Sequence, residues 1–596
     1  MYVVATAGHV DHGKSALVRA LTGIEPDRWA EERRRGLTID LGFAWTTTRS
    51  GADLAFVDVP GHQRFLGNML AGLGPTPVVM FVVAADEGWR RQSSDHRDAI
   101  VALGIDRGVV VLSRADLADR GRIDEVVAQV ADEFDGTGLV DAPVVVTSAH
   151  TGHGIDALRD RLTDVLEDGP VPSDAAPVRF WIDRSFSITG AGAVVTGTLS
   201  AGSLGRGDTL DLVTDNNVRS VGIRGVQSEN APRERVGPVS RVAVNLRDVS
   251  ASDIARGDLL LTPGMWRLTD TVDVRRVSGP GLDSVPTGLG VHVGTAAPHG
   301  RVRPFDAEHA RMTLDRALPL IVGDRIVLRD PGSGLVGGGV VLDAEPPELR
   351  RRGDAARRAE ALSDMRTDGD ALHEVVRRGA ATVDHLTRLG VATAGESAPA
   401  GVRVVGGWWV DESAWEIWIK RLRAAVDAVA VEDSMSRGLP RASVVGAVGL
   451  PSDALVAALI ADAGLDHADG YLTKQGAVPG LGDAEEAVAA LERRFADNAF
   501  AAPEADDLSA LGLGHKQLAA AERLGRLLRL RDGIVVSPRS PALAMRVLAG
   551  LEQPFTTSEA RKALGTTRRV AIPLLEHLDA RGWTRRLDSG HREVVR

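Results

Sequence analysis

The residues with the clearest chemical meaning stand near the start of the chain, in a run bounded by two glycines. Gly8 and Gly13 are followed by Lys14 and Ser15, after a short apolar strand and before a helical stretch. This spacing is typical of a P-loop, in which backbone N–H groups and a helix N-terminus bind phosphate oxygens. We expect Lys14 to reach the β- and γ-phosphates and Ser15 to ligate Mg²⁺. The predicted nucleotide-binding residues here are Gly8, His9, Val10, Asp11, His12, Gly13, Lys14 and Ser15.

Two later segments carry groups suited to the terminal phosphate and its metal ion. Thr38 follows the basic run Arg33 to Gly36 and can offer a second hydroxyl to Mg²⁺ when a γ-phosphate is present. The same run also fits an Arg-rich helix that ends at a glycine. Asp58 places a carboxylate beside the metal, Gly61 brings an amide to the γ-phosphate, and His62 lies within reach of an attacking water. The predicted metal-binding residues are Ser15, Thr38 and Asp58, and the predicted catalytic residue is His62.

A third group of residues is suited to guanine. Asp116 follows an apolar strand and can accept from the N1–H and 2-amino groups of guanine, which adenine does not match. A buried carboxylate left without a partner would penalise ATP, so guanine specificity depends mainly on Asp116. The backbone amide of Ala149 can donate to guanine O6. The predicted base-side residues are Ser113, Arg114, Asp116, Ser148 and Ala149, and Gly61 completes the nucleotide site.

These residues require a parallel sheet that brings several strand ends together. Strand, loop and helix units run from residue 1 to about 169 and predict an α/β domain with phosphate chemistry at the strand ends. Strand-like pieces separated by Gly-Asp turns then continue to about residue 342 and predict two small β-barrels. After Pro346-Pro347 the chain becomes rich in Ala, Leu and Arg, with brief Val-rich strands, which favours winged helices.

The predicted fold class is therefore multidomain: an α/β P-loop GTPase domain, two β-barrels, and an α+β array of winged-helix modules. The first three winged helices are interpreted mainly as spacers. We place the domains at residues 1–172, 173–265, 266–346 and 347–596, the last containing four winged helices of which about 541–596 binds RNA.

Composition excludes several classes of protein. The 596 residues include no Cys, so disulfides, Cys-ligated zinc and thiol catalysis are excluded. A formal net charge of −11 argues against uniform coating of nucleic acid and favours a local basic patch. No apolar run approaches the roughly 20 residues of a membrane helix, and the first residues lack the flanks of a signal peptide. We expect a monomeric cytoplasmic protein with no membrane partner.

The chain resembles the translational GTPases in Gly8-His9-Val10-Asp11-His12-Gly13-Lys14-Ser15, Arg35-Gly36-Leu37-Thr38-Ile39 and Asp58-Val59-Pro60-Gly61-His62. The resemblance implies GTP/GDP and Mg²⁺ as cofactors and His62 as the water-positioning residue. It departs where the family has Asn-Lys-x-Asp and this chain has Ser113-Arg114-Ala115-Asp116. Because Ser is shorter than Asn, we expect Ser113 to lose contacts with the base and the P-loop, with weaker binding and fast exchange. The Arg114 stem can still cover one face of the base.

The segment Ile182 to Gly197 resembles the second domain of elongation factors that carry aminoacyl-tRNA. In that family the aminoacyl group lies between the nucleotide domain and this barrel. The resemblance therefore implies three candidates for holding it, namely Asp183, Arg184 and Arg247. The alternative is that all three are ordinary charges on the barrel surface.

The end of the chain is locally basic within an acidic protein, which favours RNA binding over a solvated helix face. We place the first phosphate contacts at Arg568 and Arg569, at a predicted helix start. The predicted RNA-binding residues are Arg568, Arg569, Arg585, Arg586, His591 and Arg592.

This last module, with Ala563 to Asp579 and Thr584-Arg585-Arg586, resembles the terminal winged helix of the bacterial selenocysteine-specific elongation factors. The resemblance implies a ribosome-stimulated GTPase that delivers selenocysteinyl-tRNA to the ribosome at recoded UGA codons. It also implies that the last module binds the mRNA selenocysteine insertion hairpin (SECIS). Three alternatives remain open: a general elongation factor with an extension, a GTP-switched RNA-binding regulator without tRNA delivery, and a ribosome-associated factor with a degenerate nucleotide site.

Overall fold

The structure is a computed structural model. It describes residues 2–26, 38–170, 172–190, 192–215, 217–330, 332, 334–393, 395–433, 435–477 and 480–595. The basic run from Arg33 to Leu37, which precedes the predicted Mg²⁺ ligand Thr38, lies outside the described residues. The chain divides into two compact units, residues 1–400 and 401–596.

The first unit begins with an α/β domain built on a six-stranded sheet of order β2-β3-β1-β4-β5-β6. All neighbours are parallel except β2, which pairs antiparallel with β3. All residues of β4 are buried, as expected for a strand covered by helices on both faces. The strands are β1 Tyr2–Ala7, β2 Gly42–Thr47, β3 Asp53–Asp58, β4 Val78–Ala84, β5 Gly108–Ser113 and β6 Val144–Val146.

Helices pack on both faces of this sheet. The buried side chains between the sheet and the helices form two hydrophobic clusters. Loops leave the carboxyl ends of β1, β3, β5 and β6, so the phosphate-side and base-side segments emerge at one edge. The helices are α1 Lys14–Thr22, α2 Leu66–Leu73, α3 Arg91–Leu103, α4 Arg120–Phe134 and α5 Ile155–Glu167.

Two β-barrels follow. In the first, six strands close in the order β10-β15-β7-β8-β14-β11, because β11 also pairs with β10. The other strands are a β9–β13 pair and β12, which extends β11. The strands are β7 Arg179–Ile188, β8 Gly192–Leu199, β9 Leu204–Gly205, β10 Thr209–Val213, β11 Val218–Ser228, β12 Ala231–Arg233, β13 Arg235–Val236, β14 Ser240–Leu246 and β15 Leu259–Leu261.

The second barrel closes in the order β16-β19-β18-β17-β20-β21. Arg179 of the first barrel donates to both carboxylate oxygens of Asp324 in the second, at 2.6 and 2.7 Å, and this bidentate pair fixes the two barrels side by side. The strands are β16 Thr269–Ser278, β17 Gly288–His292, β18 His299–Pro304, β19 His309–Leu318, β20 Arg325–Asp330 and β21 Gly334–Asp343.

A short helical segment completes the first unit, and ion pairs join it to the second barrel. Arg358 of α6 is buried and donates to Asp273 at 2.6 Å and to Asp343 at 2.5 Å. Arg275 donates to the carbonyl oxygens of Ser363 and Met365, at 3.0 and 2.9 Å. Ser363 is the last residue of α6, and its carbonyl oxygen has no partner within the helix. The elements are α6 Asp354–Ser363, α7 Ala371–Arg378, β22 Ala380–Thr382 and α8 Val383–Arg388.

The second unit repeats a pattern of short helices followed by small antiparallel wings. Its sheets are a β23–β24 hairpin, β25-β27-β26, a β28–β29 pair and β30-β32-β31. Its strands are β23 Val402–Val405, β24 Trp408–Asp411, β25 Leu439–Pro440, β26 Leu465–Ala468, β27 Tyr471–Lys474, β28 Leu528–Arg529, β29 Val535–Val536, β30 Phe555–Thr556, β31 Thr584–Arg586 and β32 His591–Val594. Its helices are α9 Glu412–Glu432, α10 Val444–Val448, α11 Val456–Ala463, α12 Glu485–Asp497, α13 Ala505–Ala510, α14 His515–Arg523, α15 Ser540–Leu548, α16 Thr557–Ala563 and α17 Arg568–Ala580.

The predicted fold class is confirmed: an α/β domain, two closed barrels and an α+β array of winged-helix type. The residue limits of the individual domains remain predictions. Within the described ranges, no single helix combines the length and apolar character needed to cross a membrane, and the bent helix pair Arg441–Val448 and Asp453–Ala463 does so only when both members are counted together.

Candidate functional site

The loop between β1 and α1 requires glycine at one position and favours it at a second. At Gly8, with φ of 122°, an added Cβ would lie 2.1 Å from the carbonyl oxygen of Val82. Gly13 has φ of 82° and stands directly before α1, which begins at Lys14. Both glycines therefore have left-handed or otherwise restricted backbone conformations, and they turn the chain so that the helix N-terminus faces the loop.

Two side chains of this loop are buried. Lys14 is 5% exposed, and its Nζ donates to the carbonyl oxygens of Gly8 and His9 at 3.0 and 2.7 Å. His12 is fully buried, and burial, followed by the effects of His9 and Lys14, lowers its pKa to about 3. His12 is therefore neutral at physiological pH, and Lys14 is the cation of the loop.

Three oxygen-bearing side chains converge from separate loops beside α1. The Ser15 hydroxyl donates to Asp58 Oδ2 at 2.6 Å and lies 3.2 Å from the Thr38 hydroxyl. Thr6 donates to the other Asp58 oxygen at 2.7 Å, and complete burial raises the pKa of Asp58. Mg²⁺ prefers oxygen ligands and usually combines few protein groups with phosphate and water. The converging oxygens of Ser15, Thr38 and Asp58 therefore fit a Mg²⁺ site that phosphates would complete. Among the residues that the structure describes, no group of three or more His, Cys, Asp or Glu side chains could hold a metal.

Gly61 and His62 lie at the start of the segment after β3. An added Cβ on Gly61 would lie 2.5 Å from the Val10 amide nitrogen and 2.6 Å from Lys14 Nζ, so this backbone touches the phosphate loop directly. His62 is exposed, and its Nδ1 accepts from the Arg64 amide at 3.1 Å. The predicted catalytic imidazole therefore caps a short 3₁₀ helix, one residue from the contact between Gly61 and the loop.

The base-side segment is joined to the phosphate loop. Ser113 is buried and donates to the His12 carbonyl oxygen at 2.6 Å, so the expectation that it loses contact with the P-loop is wrong. Arg114, with φ of 54°, donates to Glu87 at 2.9 Å and to the Asp11 carbonyl oxygen. Two side chains at the positions of the family's Asn-Lys pair therefore still hold the loop from the base side.

The other base-side residues lie together. Asp116 accepts from the Ser148 hydroxyl at 2.5 Å, and this hydrogen bond lowers the pKa of the Asp116 carboxyl. The carboxyl is ionised at physiological pH, as an acceptor for guanine must be. Ala149 follows Ser148 in the same loop after β6.

Sequence reasoning missed four side chains that contact the site. Thr6 binds Asp58, Glu87 pairs with Arg114, and Gln92 and His96 accept from the Val10 and Gly8 amides, both at 3.1 Å. Gln92 and His96 are four residues apart on α3, and that spacing puts them on one helix face. The spacing was the available signal, but nothing in the sequence placed that face against the phosphate loop.

The barrel candidates for the aminoacyl group divide into two kinds. Asp183 is buried and accepts from Arg241 at 2.7 Å, and Arg184 donates to Asp40 of the α/β domain at 2.8 Å. Arg247 is exposed. Their assignment to an aminoacyl group remains a prediction, with Asp183 and Arg184 committed to ion pairs in this structure.

A second arginine shares Asp40. Arg256 donates to Asp40 at 2.7 Å and to the Asn68 side chain at 2.5 Å, and Asn68 donates to the Ile39 carbonyl oxygen at 2.9 Å. Burial raises the pKa of Asp40, but the charges of Arg184 and Arg256 outweigh it and hold the pKa below its usual value. The first barrel therefore contacts the α/β domain at two places. One is Asp40, which follows Thr38, and the other is Asn68 of α2, which follows His62.

In the terminal module the six predicted RNA-binding residues differ in their partners. Arg592 is 5% exposed and pairs with Asp579 at 2.8 Å, and Arg569 donates to Glu504 at 3.0 Å. Arg585 pairs with Glu593, Arg586 with backbone carbonyl oxygens and His591 with Asp588. Arg568 is the first residue of α17 and is exposed, with no ion pair or side-chain hydrogen bond within the described part of the chain.

Three family models match separate parts of the chain. Residues 1–168 match the elongation factor Tu GTP binding domain. Residues 285–348 match the β-barrel domain of selenocysteine-specific elongation factor, and residues 546–592 match the winged helix of elongation factor SelB.

Individual relatives agree with these matches. The chain is 36% identical over 383 residues to the selenocysteine-specific elongation factor of Escherichia coli (strain K12), across 63% of this chain and 61% of that protein. It is 32% identical over 298 residues to the elongation factor 1-alpha of Methanopyrus kandleri, across 44% of this chain and 70% of that protein. The chain spans 56% to 61% of the length of the curated selenocysteine-specific relatives.

A solved structure shares the fold over the whole length. The crystal structure of the bacterial selenocysteine-specific elongation factor EF-Sec matches with a TM-score of 0.75 and 24% identity, covering 100% of both chains. At that identity the match shows a common architecture from the first domain to the last.

Proposed function

We propose that this chain, which belongs to the family of selenocysteine-specific elongation factors, is a GTP-hydrolysing translation factor that delivers selenocysteinyl-tRNA to the ribosome at recoded UGA codons. The observation that carries the proposal is the combination, in one chain, of converging Ser15, Thr38 and Asp58 oxygens with a terminal winged helix that exposes Arg568. The converging oxygens would support a conformational switch that depends on the γ-phosphate. The exposed arginine would bind the phosphate backbone of a nucleic acid.

The nucleotide site would bind GTP with its phosphates against the α1 N-terminus and Lys14. Mg²⁺, when bound, would neutralise charge on the β- and γ-phosphates, and Ser15, Thr38 and Asp58 would hold it directly or through water. Asp116 would accept from the guanine N1–H and 2-amino groups. Ser113 and Arg114 would hold the loop that carries these phosphates, through His12, Asp11 and Glu87.

Hydrolysis would proceed by attack of water on the γ-phosphorus. The water oxygen forms a bond to phosphorus, the bond to the β-phosphate oxygen breaks, and GDP and phosphate leave. His62 would orient the water once the ribosome turns its ring toward the γ-phosphate, since its Nδ1 now accepts from the Arg64 amide. When the γ-phosphate leaves, Thr38 would no longer be held as a metal ligand. The segment of Thr38 and Asp40, which the first barrel contacts at Asp40, would then loosen.

The charged tRNA would lie against the first barrel and the α/β domain. Asp183, Arg184 and Arg247 are the proposed aminoacyl-pocket residues, and Arg247 is the exposed member of the three. Asp183 and Arg184 would act by positioning, because their charges are already paired with Arg241 and Asp40.

The mRNA hairpin would bind the terminal module, with Arg568 as its main phosphate contact. The test is binding of the full chain to a selenoprotein mRNA hairpin. Arg568→Ala should weaken binding about tenfold, in line with loss of one specific contact worth about 1.4 kcal/mol. Arg493→Ala removes an exposed arginine of α12 and should leave binding within about twofold, as expected for a surface charge without contacts. Equal affinity of both variants, or equal competition by any RNA, would refute hairpin recognition by this module.

The similarity to elongation factor 1-alpha favours one competing function, a general elongation factor with an added carboxyl-terminal unit. The discriminating measurement is competition among seryl-, cysteinyl- and selenocysteinyl-tRNA for the GTP-bound chain. A specialised factor should prefer selenocysteinyl-tRNA at least about a hundredfold, because a site must reject analogues that differ at one atom. Equal affinity of the chain for all three tRNAs would support the general elongation factor.

A further inference from the structure

A cavity of about 870 Å³ lies where the α/β domain meets the two barrels. On the α/β side its wall contains the first residues of three strands, namely Tyr2 of β1, Asp53 of β3 and Val78 of β4. The cavity is therefore at the amino ends of the strands, whereas the candidate nucleotide site is at their carboxyl ends. Because β4 has seven residues, the strand that separates the two sites is about 20 Å long. A molecule bound in the cavity would not touch the nucleotide.

The three domains are closely joined beside this cavity. Gly294, in the turn between β17 and β18, packs against Trp181 of the first barrel, and an added Cβ would overlap the indole ring. Gly294 also approaches the α/β domain, since a Cβ on Gly74 would lie 2.9 Å from the Gly294 carbonyl oxygen. Gly74, Trp181 and Gly294 all line the cavity. Its wall therefore belongs to a packed junction of three domains.

Apolar side chains from all three domains form part of the wall. They are buried and include Ile105 of the α/β domain, Trp181 and Val236 of the first barrel, and Val293 of the second barrel. Pockets that bind small molecules are mainly apolar, carry a few polar groups, often lie between domains and have volumes of roughly 300 to 1,000 Å³. The cavity therefore has the size and the lining of a site for a small organic molecule.

Two arginines of the wall have no carboxylate partner. Arg107 and Arg325 are both half-buried, and neither forms an ion pair within the described part of the chain. Arg107 donates to the Val165 carbonyl oxygen. Arg325 lies over Gly104, where an added Cβ would be 3.0 Å from its Nε. Burial lowers the pKa of Arg325, and the charge of Asp106 offsets this only in part. A partly desolvated guanidinium without a counter-ion favours the binding of an anion.

The acidic residues of the wall do not supply that counter-ion. Asp53 and Asp324 are already paired with arginines of the first barrel. Asp106 and Asp174 are exposed, so their carboxylates remain hydrated. A ligand that brings its own oxyanion would therefore provide the missing partner for two half-buried cations.

We propose that the cavity binds a small organic anion, with an apolar body and a single oxyanionic group, and that Arg107 and Arg325 bind the oxyanion. Guanidinium groups suit this role because they donate two parallel hydrogen bonds to an oxyanion. The ligand would contact all three domains, so it would bind their joined arrangement and stabilise it by mass action. The proposal does not depend on the proposed GTPase function. The alternative is a water-filled junction in which Arg325 only interacts with the negative end of α3.

The first test titrates the full chain with anilinonaphthalene sulfonate, whose apolar rings carry one sulfonate, and follows its fluorescence. Phenylnaphthylamine, which has the same rings and no charge, is the matched ligand. We expect the sulfonate to bind at least about tenfold more tightly than the amine. Arg325→Gln and Arg107→Gln should each weaken sulfonate binding about five- to tenfold and change amine binding less than about twofold.

Arg303→Gln is the matched control, because it removes an exposed arginine of the second barrel that does not line the cavity. It should leave the affinity for both probes unchanged. Ser200→Trp, which places a large side chain in the wall, should weaken the binding of both. Equal binding of sulfonate and amine to the wild type would refute the proposal, as would an equal effect of Arg303→Gln and Arg325→Gln.

The second test locates the bound sulfonate by hydrogen exchange of the full chain. Exchange should slow about threefold or more in residues 103–107 and 235–240, which contribute to the wall, and stay unchanged in residues 8–15. Addition of GDP and Mg²⁺ should not displace the probe, because the nucleotide site is at the opposite edge of the sheet. Displacement by GDP, or protection confined to other segments, would place the probe elsewhere and overturn the assignment.

Discussion

Arg114 illustrates how a residue can replace another without keeping its chemistry. Its guanidinium reaches both Glu87 and the Asp11 carbonyl oxygen, and a planar fork with several donors permits two such bonds at once. Ser113 meanwhile holds the His12 carbonyl oxygen at 2.6 Å. The phosphate loop is therefore better anchored on the base side than a short serine and a bulky arginine suggest.

Arg114→Ala should accelerate GDP release. Loss of hydrogen bonds from a charged group that is 31% exposed corresponds to about 1–1.5 kcal/mol, or about a tenfold faster dissociation. Stopped-flow fluorescence of a labelled GDP measures the rate. Arg91→Ala removes a nearby exposed charge and should leave the rate unchanged. An unchanged rate in Arg114→Ala would mean that Ser113 alone anchors the loop.

His292 of β17 should make the second barrel sensitive to acid. Burial, followed by the charge of Arg329, lowers the pKa of His292 to about 4, against about 6.5 in the unfolded chain. Between these values the unfolded state binds more protons, so the free energy of unfolding falls as the pH falls from 6.5 toward 4. From pH 7.5 to 5.0 this residue alone should cost about 2 kcal/mol.

The measurement compares urea unfolding of the wild type and His292→Gln at both pH values, followed by pulsed hydrogen exchange in β17 and β18. The variant has no imidazole to protonate at this position. The decrease in its free energy of unfolding between the two pH values should therefore be about 2 kcal/mol smaller than that of the wild type. Identical losses would place the acid sensitivity at other buried histidines such as His12 and His96.

The sequence predicted the residues whose positions follow from a single strand end, and not those that depend on packing between distant segments. Asp58 ends β3, and Lys14 and Ser15 begin α1 after the loop that leaves β1, so their convergence follows from the parallel sheet. His96 lies 88 residues from Gly8 and Arg184 lies 144 residues from Asp40. Contacts of that kind depend on how α3 and the first barrel pack, which hydrophobic periodicity alone does not specify.

At the scale of elements, the contact between the first barrel and the α/β domain depends on Asp40. Its two oxygens accept from Arg184 and Arg256 at 2.8 and 2.7 Å, and both arginines are less than one-third exposed. Removing the carboxylate would leave two partly buried cations facing each other. Such groups cost more when unpaired than the pair itself contributes.

Asp40→Asn should therefore loosen the first barrel. We expect the free energy for its separation from the α/β domain, measured by urea titration, to fall by about 2 kcal/mol after allowance for partial exposure. Asp160→Asn is the matched control, because Asp160 pairs with Arg49 at an exposed site and should change stability by less than about 0.5 kcal/mol. Equal effects of the two substitutions would contradict a special role for Asp40. Hydrogen exchange in β7 and α2 reports the loosening directly.

At the scale of the whole molecule, charge distribution decides how RNA can bind. The chain carries a formal charge of −11, so long-range attraction of RNA to the protein as a whole is unfavourable. The terminal module still presents exposed or half-exposed Arg561, Lys562, Arg568 and Arg581. Because these few side chains can neutralise only a few RNA phosphates, binding should release few counterions.

Hairpin affinity should therefore depend only modestly on salt. About four phosphate contacts predict a slope near −3 for log K against log salt concentration, and Arg568→Ala should make it shallower by about one. Filter binding of the full chain at several KCl concentrations measures the slope. A value near −7 in the wild type would require a second basic surface and would refute a contact confined to this module.

Lys14 has a practical consequence for work with the protein. The other four lysines of the chain are Lys420, Lys474, Lys516 and Lys562, all in the second unit and all exposed. Lys14 is buried and its ammonium is bound to two carbonyl oxygens. Lysine-directed dyes and biotin esters will therefore modify side chains of residues 401–596 and leave Lys14 of the nucleotide site unlabelled.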